Sequence, residues 1–491
     1  MASYDLVIRG GTIATASDTY VGDIGVKDGV IVDLGRALGP GTEEIDAKGK
    51  YVLPGGIDSH VHIEQRSSFG NMNADDFFSG TTAAAFGGNT TVIPFATQHK
   101  TQESLRQVVN DYHAVAGPKA VIDYAFHLII SNPTPQILGQ ELPALIQDGY
   151  TSFKVYMTYD LLKLNDTQML DILSVARATG ALTMVHAENY DMIKWVTAKL
   201  LAQGMTLPKY HGTSHVRIAE GEATNRAISL AELVDVPMLL VHVSIPEAID
   251  CIRAAQTRGL KIYGETCPQY LFLTAKDMDR DGLDGAMFCC SPPLRDEASQ
   301  EAVWQGIANG TFQVVSSDHA PFRYDSGPSG KLPKGNQTKF TEMANGLPGI
   351  ETRLPLLFSG GVMEGRIDIN RFVAVGATNH AKLYGLYPRK GTIAIGSDAD
   401  IAIWDKDVRK TLSAKMLHDG TGYTPFEGHE VQGWPTTVIS RGRPVIVNNE
   451  LKAARGSGEF LRAAPPEMAK PLGRKVPEFA ALPGFKTTPS F

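Results

Sequence analysis

The sequence has few cysteines, no long apolar run and no surplus of positive charge. Only Cys251, Cys267, Cys289 and Cys290 occur among 491 residues, and their spacing is that of neither a zinc knuckle nor a disulfide framework. All four are expected to be reduced and structural, with adjacent Cys289 and Cys290 facing opposite sides of an extended segment. No stretch reaches the roughly 18 apolar residues of a membrane-spanning helix. The N-terminus starts directly as a strand-like segment, without the basic and apolar regions of a secretion signal, so the cytoplasm is the expected location. The 53 acidic residues outnumber the 46 basic ones, for a net charge of -7. That balance argues against a nucleic-acid partner, which calls for a basic face. No repeat of solenoid period is present. What is left is a chain with room for one large domain and a smaller one.

The organisation changes twice along the chain. Residues 1–53 carry short β-like runs, such as Leu6-Val7-Ile8 and Val30-Ile31-Val32, broken by Gly and Asp turns. From 54 to 389, β-like runs alternate with amphipathic stretches, the pattern of βαβ units and a parallel sheet. The strand candidates are 52–57, 90–95, 121–130, 151–156, 181–187, 236–243, 261–267 and 312–319. Eight such units favour a closed (β/α)8, TIM-like barrel over an open sheet. The β pattern returns over 390–463, and the simplest reading joins it to residues 1–53 as one small β-sandwich domain. From 464 to 491 the tail is rich in proline, which excludes a helix or central strand. It is either disordered or extended over a neighbouring subunit.

Metal-ligand residue types end several of these strands. His60 and His62 lie two apart at a strand end, so both point to one face and could chelate one ion. The plainer reading is two ordinary polar residues after a strand. His186 and His242 each close an apolar run. A single histidine in that place is more often a hydrogen-bonded core residue than a ligand, but two at matching strand ends shift the balance. Asp318 follows the last strand candidate and is either a helix cap or a ligand and general base. These positions coincide with the C-terminal strand ends, where active sites of such barrels gather. His127 reads as core, and His319 as a neighbour of the site pointing away from it.

Lys154 is the most unusual residue, because it sits within the strand-like Ser152-Phe153-Lys154-Val155-Tyr156. Lysine is rarely buried unpaired, since desolvating an ammonium is costly. It either snorkels to water or has a pKa depressed by burial. In the second case its neutral amine could react with CO₂, turning a cation into a carboxylate-like bridge between metals.

Several segments together resemble the cyclic amidohydrolases, specifically the dihydropyrimidinase and D-hydantoinase family. They are Pro54-Gly55-Gly56-Ile57-Asp58-Ser59-His60-Val61-His62, Phe153-Lys154-Val155-Tyr156-Met157, Val185-His186-Ala187-Glu188, Val241-His242-Val243-Ser244, Cys290-Ser291-Pro292-Pro293-Leu294-Arg295, Ser317-Asp318-His319-Ala320 and Asn345-Gly346-Leu347-Pro348. The resemblance covers essentially the whole chain. It implies two zinc ions per chain, bridged by a carboxylated Lys154 and a hydroxide. His60, His62 and Asp318 would complete one site, and His186 with His242 the other. Two cations would lower the pKa of the bridging water and clamp it for attack on an amide carbonyl. Tyr159 matches the family tyrosine that stabilises the oxyanion. Asp318 would pass the proton to the leaving ring nitrogen. Backbone groups near Ser291 and Asn345 would pair with the –CO–NH–CO– face of a small cyclic amide. Family members are usually homotetramers, with a homodimer the simpler alternative.

The departures from the family fall where substrate preference is set. The stretches 64–73 and 93–99 differ from the usual hydantoinase loops, and Ala320 stands where relatives often carry cysteine. Phe69, Phe95 and Leu161 could form an apolar wall for a ring substituent. The leading expectation is a cyclic amidase that opens dihydropyrimidines and 5-substituted hydantoins to N-carbamoyl amino acids. A cyclic-imide hydrolase or an allantoinase-like enzyme is the alternative. A non-catalytic scaffold related to dihydropyrimidinase, such as the collapsin response mediator proteins, is the reading from a different class.

Overall fold

The computed structural model describes residues 4–67 and 70–474. Phe69 and the tail beyond Arg474 lie outside the described residues. Two nine-stranded sheets organise the rest. One is mostly antiparallel and drawn from both ends of the sequence. Its halves meet where Tyr51–Pro54 pairs with Ile401–Thr411, in the register Val52 to Ile403 and Leu53 to Ala402. Ile8, Ile24, Val26, Val52, Ile401 and Ile439 share one apolar cluster on it.

The second sheet is parallel throughout. Its main path runs Gly56–Val61, Asn89–Thr97, His127–Ile129, Ser152–Tyr156, Leu182–His186, Met238–Leu240, Ile262–Thr266 and Val314–Val315. It curls far enough that a parallel bridge joins Val61 to His319, and the His62 amide donates to the His319 carbonyl at 2.7 Å. Helices fill the connections. Asp166–Thr179 is representative: Asn165 and Gln168 form a reciprocal capping box, and Gly180 ends the helix at φ 73°. Met169, Ile172, Leu173 and Ala176 form its buried stripe, while Leu170 and Val175 are only half-buried.

The candidates 236–243 and 312–319 shorten to Met238–Leu240 and Val314–Val315, and two others divide. The segment 52–57 divides between the two sheets, because the chain changes sheet at Gly55. A Cβ there would lie 2.2 Å from Thr90 Oγ1, so only glycine permits the crossing. The segment 121–130 divides into Asp123–Tyr124 and His127–Ile129, which pair with separate stretches of Asn89–Thr97.

A buried ion cluster ties the sheets together. Lys390 Nζ lies 2.7 Å from Asp123, 3.0 Å from Asp398 and 2.7 Å from Asp400. The described start of the proline-rich tail lies on this chain's own surface. The Ala464 amide donates to the Gly385 carbonyl, and the carbonyls of Glu467 and Lys470 accept from Lys261 Nζ.

Candidate active site

His60, Lys154 and His186 lie on strands of the parallel sheet, and His62, His242 and Asp318 follow strand ends. A cavity there is lined by His62, Lys154, Tyr159, His186, His242, Ser291, Asp318 and Asn345. His60 packs beneath them and is fully buried.

Three side chains converge as a metal-ligand group: His60, His62 and Asp318. Asp318 Oδ1 is 3.1 Å from His60 Nε2 and 3.4 Å from His62 Nε2. On the far side, His60 Nδ1 lies 2.6 Å from Glu265 Oε1, and His62 Nδ1 lies 2.7 Å from Gln65 Oε1. Both outer partners are acceptors, so each ring donates its Nδ1–H outward. A neutral ring then presents its Nε2 lone pair inward, against a carboxylate oxygen. Burial, with the Lys154 charge, holds His60 well below the ordinary imidazole range, so this ring is neutral near pH 7. Burial opposes ionisation of Asp318, yet His60, His62 and Lys154 outweigh it and bring the carboxyl down to about 2. Two imidazole nitrogens and a carboxylate oxygen converging on one point suit a divalent cation of the zinc type.

Lys154 lies against this group. It is 1% exposed, so it does not snorkel to water. Its Nζ is 2.7 Å from His60 Nε2 and lies over the Phe95 ring, 4.6 Å from the centroid. Burial lowers its pKa to about 8, with Asp318 and Glu265 pulling the other way. About a tenth of the amine is therefore neutral at pH 7.

His186 and His242 stand on the other side of the cavity, with ring centroids 4.4 Å apart. His186 Nε2 pairs with Glu188 Oε2 at 2.8 Å, which leaves Nδ1 for another partner. His242 Nδ1 is buried and has no hydrogen-bond partner. An orphaned imidazole nitrogen in a polar site also fits a cation ligand.

Tyr159, Ser291 and Asn345 add polar groups to the cavity lining. Burial, followed by the Glu188 charge, pushes the Tyr159 hydroxyl well above its usual pKa, so it remains a hydrogen-bond donor. Asn345 Nδ2 donates to Ser291 Oγ at 3.1 Å. Behind them, His211 Nε2 lies 3.2 Å from Ser291 Oγ and 2.9 Å from the Cys290 carbonyl.

The apolar wall expected from the sequence is different in the structure. Phe95 is fully buried under the site, with its ring 5.0 Å from both His60 and His62. Its strand is buried along its whole length, which puts Phe95 beneath the ligands instead of in the cavity wall. Leu161 lines an adjoining cavity with Ile193, Phe340 and Met343. Leu162 and Phe322 supply apolar lining near the metal-ligand group. His127 is a structural residue, bonded to Ser152 Oγ at 2.6 Å and the Ser59 carbonyl at 2.9 Å. His319 turns away to Asp75 at 3.0 Å. All four cysteines are free thiols.

Sequence reasoning missed Glu265, Glu188, Gln65 and His211. Glu265 had one usable signal, an acidic residue near the end of a candidate barrel strand in register with the other ligands.

Residues 51–445 match the model of the Amidohydrolase family. A D-hydantoinase of Geobacillus stearothermophilus is 44% identical over 461 residues, covering 93% of this chain and 96% of that protein. A D-phenylhydantoinase of Escherichia coli is 39% identical over 463 residues, covering 94% and 98%. The crystal structure of dihydropyrimidinase from Brevibacillus agri superposes with a TM-score of 0.90 at 42% identity, covering 94% of this chain and 99% of that one. With its site geometry and these likenesses over nearly full length, the chain belongs to the amidohydrolase family, among the hydantoinases and dihydropyrimidinases.

Proposed function

We propose that this enzyme hydrolyses the cyclic amide bond of hydantoins and dihydropyrimidines, yielding N-carbamoyl amino acids. The observation that carries this reading is the convergence of imidazole lone pairs, an ionised Asp318 and a buried Lys154 opposite a protonated tyrosine. His60, His62 and Asp318 would hold one zinc ion and His186 with His242 a second, with a carboxylated Lys154 between them. The neutral Lys154 amine attacks CO₂, forms the N–C bond and loses its proton, leaving a carbamate. When bound, the two ions supply Lewis acidity and lower the pKa of the attacking water.

The chain's own groups do the rest. Tyr159 donates its hydroxyl proton in a hydrogen bond to the carbonyl oxygen as negative charge grows there. Asp318 accepts the proton of the attacking water and returns it to the ring nitrogen as the C–N bond breaks. Backbone groups around Ser291 and Asn345 hold the –CO–NH–CO– face, which sets which carbonyl meets the water.

The same reading extends to the architecture. We take the parallel sheet as a (β/α)8 barrel over 54–389, and 1–53 with 390–463 as a β-sandwich domain. We take the enzyme as a cytoplasmic homotetramer. Trp195 and Ile218, 66% and 67% exposed, are large apolar side chains of the kind a subunit contact would cover.

The test is ring opening by metal-analysed protein with dihydrouracil, hydantoin, 5-phenylhydantoin and succinimide side by side. Turnover of the first three is the expected result. Activity on succinimide alone would replace the reading with an imide hydrolase. Absence of bound metal and of activity would favour the scaffold.

A further inference from the structure

Three lysines are among the largest fully buried side chains: Lys154, Lys331 and Lys390. Two have an evident reason to be there. Lys154 lies against the metal-ligand group, and Lys390 is neutralised by three aspartates. Lys331 has neither. It is 0% exposed, and among the described residues no carboxylate lies within ion-pair distance of it. Its titratable neighbours are the thiols of Cys289 and Cys290, while burial lowers its pKa to about 8. A buried unpaired ammonium is among the costliest groups a fold can hold. Its contacts must therefore do something an apolar side chain could not.

Those contacts are two backbone carbonyls. Lys331 Nζ donates to Gly346 O at 2.6 Å and to Cys289 O at 3.1 Å. Gly346 follows Asn345, and Cys289 stands two residues before Ser291. The Gly346 amide also donates to Cys289 O at 3.0 Å, and Cys289 Sγ donates to Asn345 Oδ1 at 3.3 Å. The ammonium thus sits at the junction of the segments carrying Ser291 and Asn345, which are far apart in sequence. Gly346 has φ 147°, and a Cβ on it would lie 2.4 Å from Ala320 Cβ. That segment is therefore pressed against the loop after Asp318. Lys331 itself does not line the cavity, whereas Ser291, Asn345 and Gly346 do.

We propose that Lys331 is a positioning residue whose buried ammonium clamps the Ser291 and Asn345 segments into the register that recognises the cyclic amide. The proposal rests on the recognition role given above to those two segments. The charge matters because a cation binds two carbonyls more strongly than a neutral donor does. Those carbonyls and the neighbouring amides then keep a fixed separation before substrate arrives, so binding does not have to order them.

The test pairs Lys331→Met, which keeps length and loses all donors, with Lys331→Gln, which restores one donor. Two readouts are taken on the metal-loaded enzyme. In Lys331→Met, KM for hydantoin is expected to rise about tenfold, with kcat within about threefold of wild type and metal content unchanged. Amide hydrogen exchange in peptides covering 287–292 and 344–348 is expected to quicken about tenfold, with 182–188 unaffected. Lys331→Gln should fall between wild type and Met on both scales, and it carries the test should Met fail to fold. Unchanged exchange at both segments would overturn the clamp. So would a joint loss of kcat, metal and thermal stability, which marks a merely structural lysine. Failure of the wild type to open hydantoin would refute the functional reading alone, since the exchange measurement needs no substrate.

Discussion

Replacing Glu265 by glutamine isolates the contribution of a charge that touches both halves of the candidate metal site. Glu265 Oε1 accepts from His60 Nδ1 at 2.6 Å and from the His242 amide at 3.1 Å, and Oε2 accepts from Ser316 Oγ at 2.8 Å. Glutamine keeps an oxygen for His60 and His242. Its amide can donate to Ser316, whose hydroxyl rotates to accept. Geometry is retained and the charge is lost; because burial raises the Glu265 carboxyl to about 7, that charge is full only above neutral pH, where the titration is run. A carboxylate behind a ligating imidazole raises the basicity of the ring, and losing such a partner costs about 10–100-fold in metal affinity, or ~1.4–2.8 kcal/mol. The effect should fall at the upper end of that range, because His60 and Glu265 are both 0% exposed and no solvent screens them. In a competition titration against a chelator, Glu265→Gln should lose half its zinc at about a hundredth of the chelator needed for wild type. Metal stoichiometry at saturating zinc should be unchanged. An affinity equal to wild type would refute the reasoning, and would mean that Glu265 serves folding alone. Glu265→Ala is the harsher control, since it strands the His60 Nδ1–H and the His242 amide at about 1–3 kcal/mol each.

Three further predictions rest on single residues. Lys154→Ala should lower ring-opening turnover by about 1,000-fold or more, ~4 kcal/mol, and strip at least one metal by elemental analysis; full metal and turnover would exclude a bridging lysine. Tyr159→Phe should lower kcat by about 10²–10³-fold with little change in KM, and an unchanged kcat in steady-state assays would remove the tyrosine from the mechanism. Lys331 has a folded-state pKa of about 8 against an ordinary value of 10.5, so between those pH values the unfolded chain binds more protons. Stability relative to Lys331→Met should therefore rise with pH across that window, by ~3 kcal/mol in denaturant titrations; a flat or falling difference would show that burial does not depress the pKa of this amine.

The strand ends were legible because a polar residue closing an apolar run is conspicuous. His186, His242 and Asp318 each interrupt a sequence that otherwise reads as buried strand. Lys154 was legible for a stronger reason, since desolvation makes a strand lysine improbable without a role. Phe95 was misplaced because the stretch 93–99 was read as a loop over the pocket, whereas the strand Asn89–Thr97 runs through Phe95. Asn89–Thr97 is buried on both faces, so a phenylalanine there can equally support ligands from below. Glu188, Gln65 and His211 carry no local signature. They are polar residues in ordinary surroundings, and only the fold brings them against His186, His62 and Ser291. The division of 52–57 between two sheets was hidden because one glycine suffices for the change, and Gly55-Gly56 reads as a plain turn.

Backbone conformation adds what no residue pattern could supply. Tyr159, His242 and Asp318 have φ of 71°, 41° and 50°, in the left-handed region that costs a non-glycine residue about 1–2 kcal/mol. Asp28, Ala37, Glu64, Asp235, Arg441, Asn448 and Asn449 share that region, and the short polar side chains among them can bond locally to their own turns. A tyrosine and a histidine have no such compensation, and glycine would adopt the angles freely while offering neither ligand nor hydroxyl. The strain persists because buried partners hold it. The His242 amide is fixed by Glu265, and the Tyr159 carbonyl accepts from the amides of Leu162 at 3.1 Å and Lys163 at 2.9 Å. The segment of Asp318 is pinned on either side, by the His62 amide on the His319 carbonyl and the His319 amide on Ser317 Oγ at 3.0 Å. The left-handed turn at each strand end aims a side chain that an ordinary continuation of the strand would place elsewhere. The surrounding hydrogen bonds thus carry a conformational cost at the three positions where the chemistry needs fixed atoms before substrate binds.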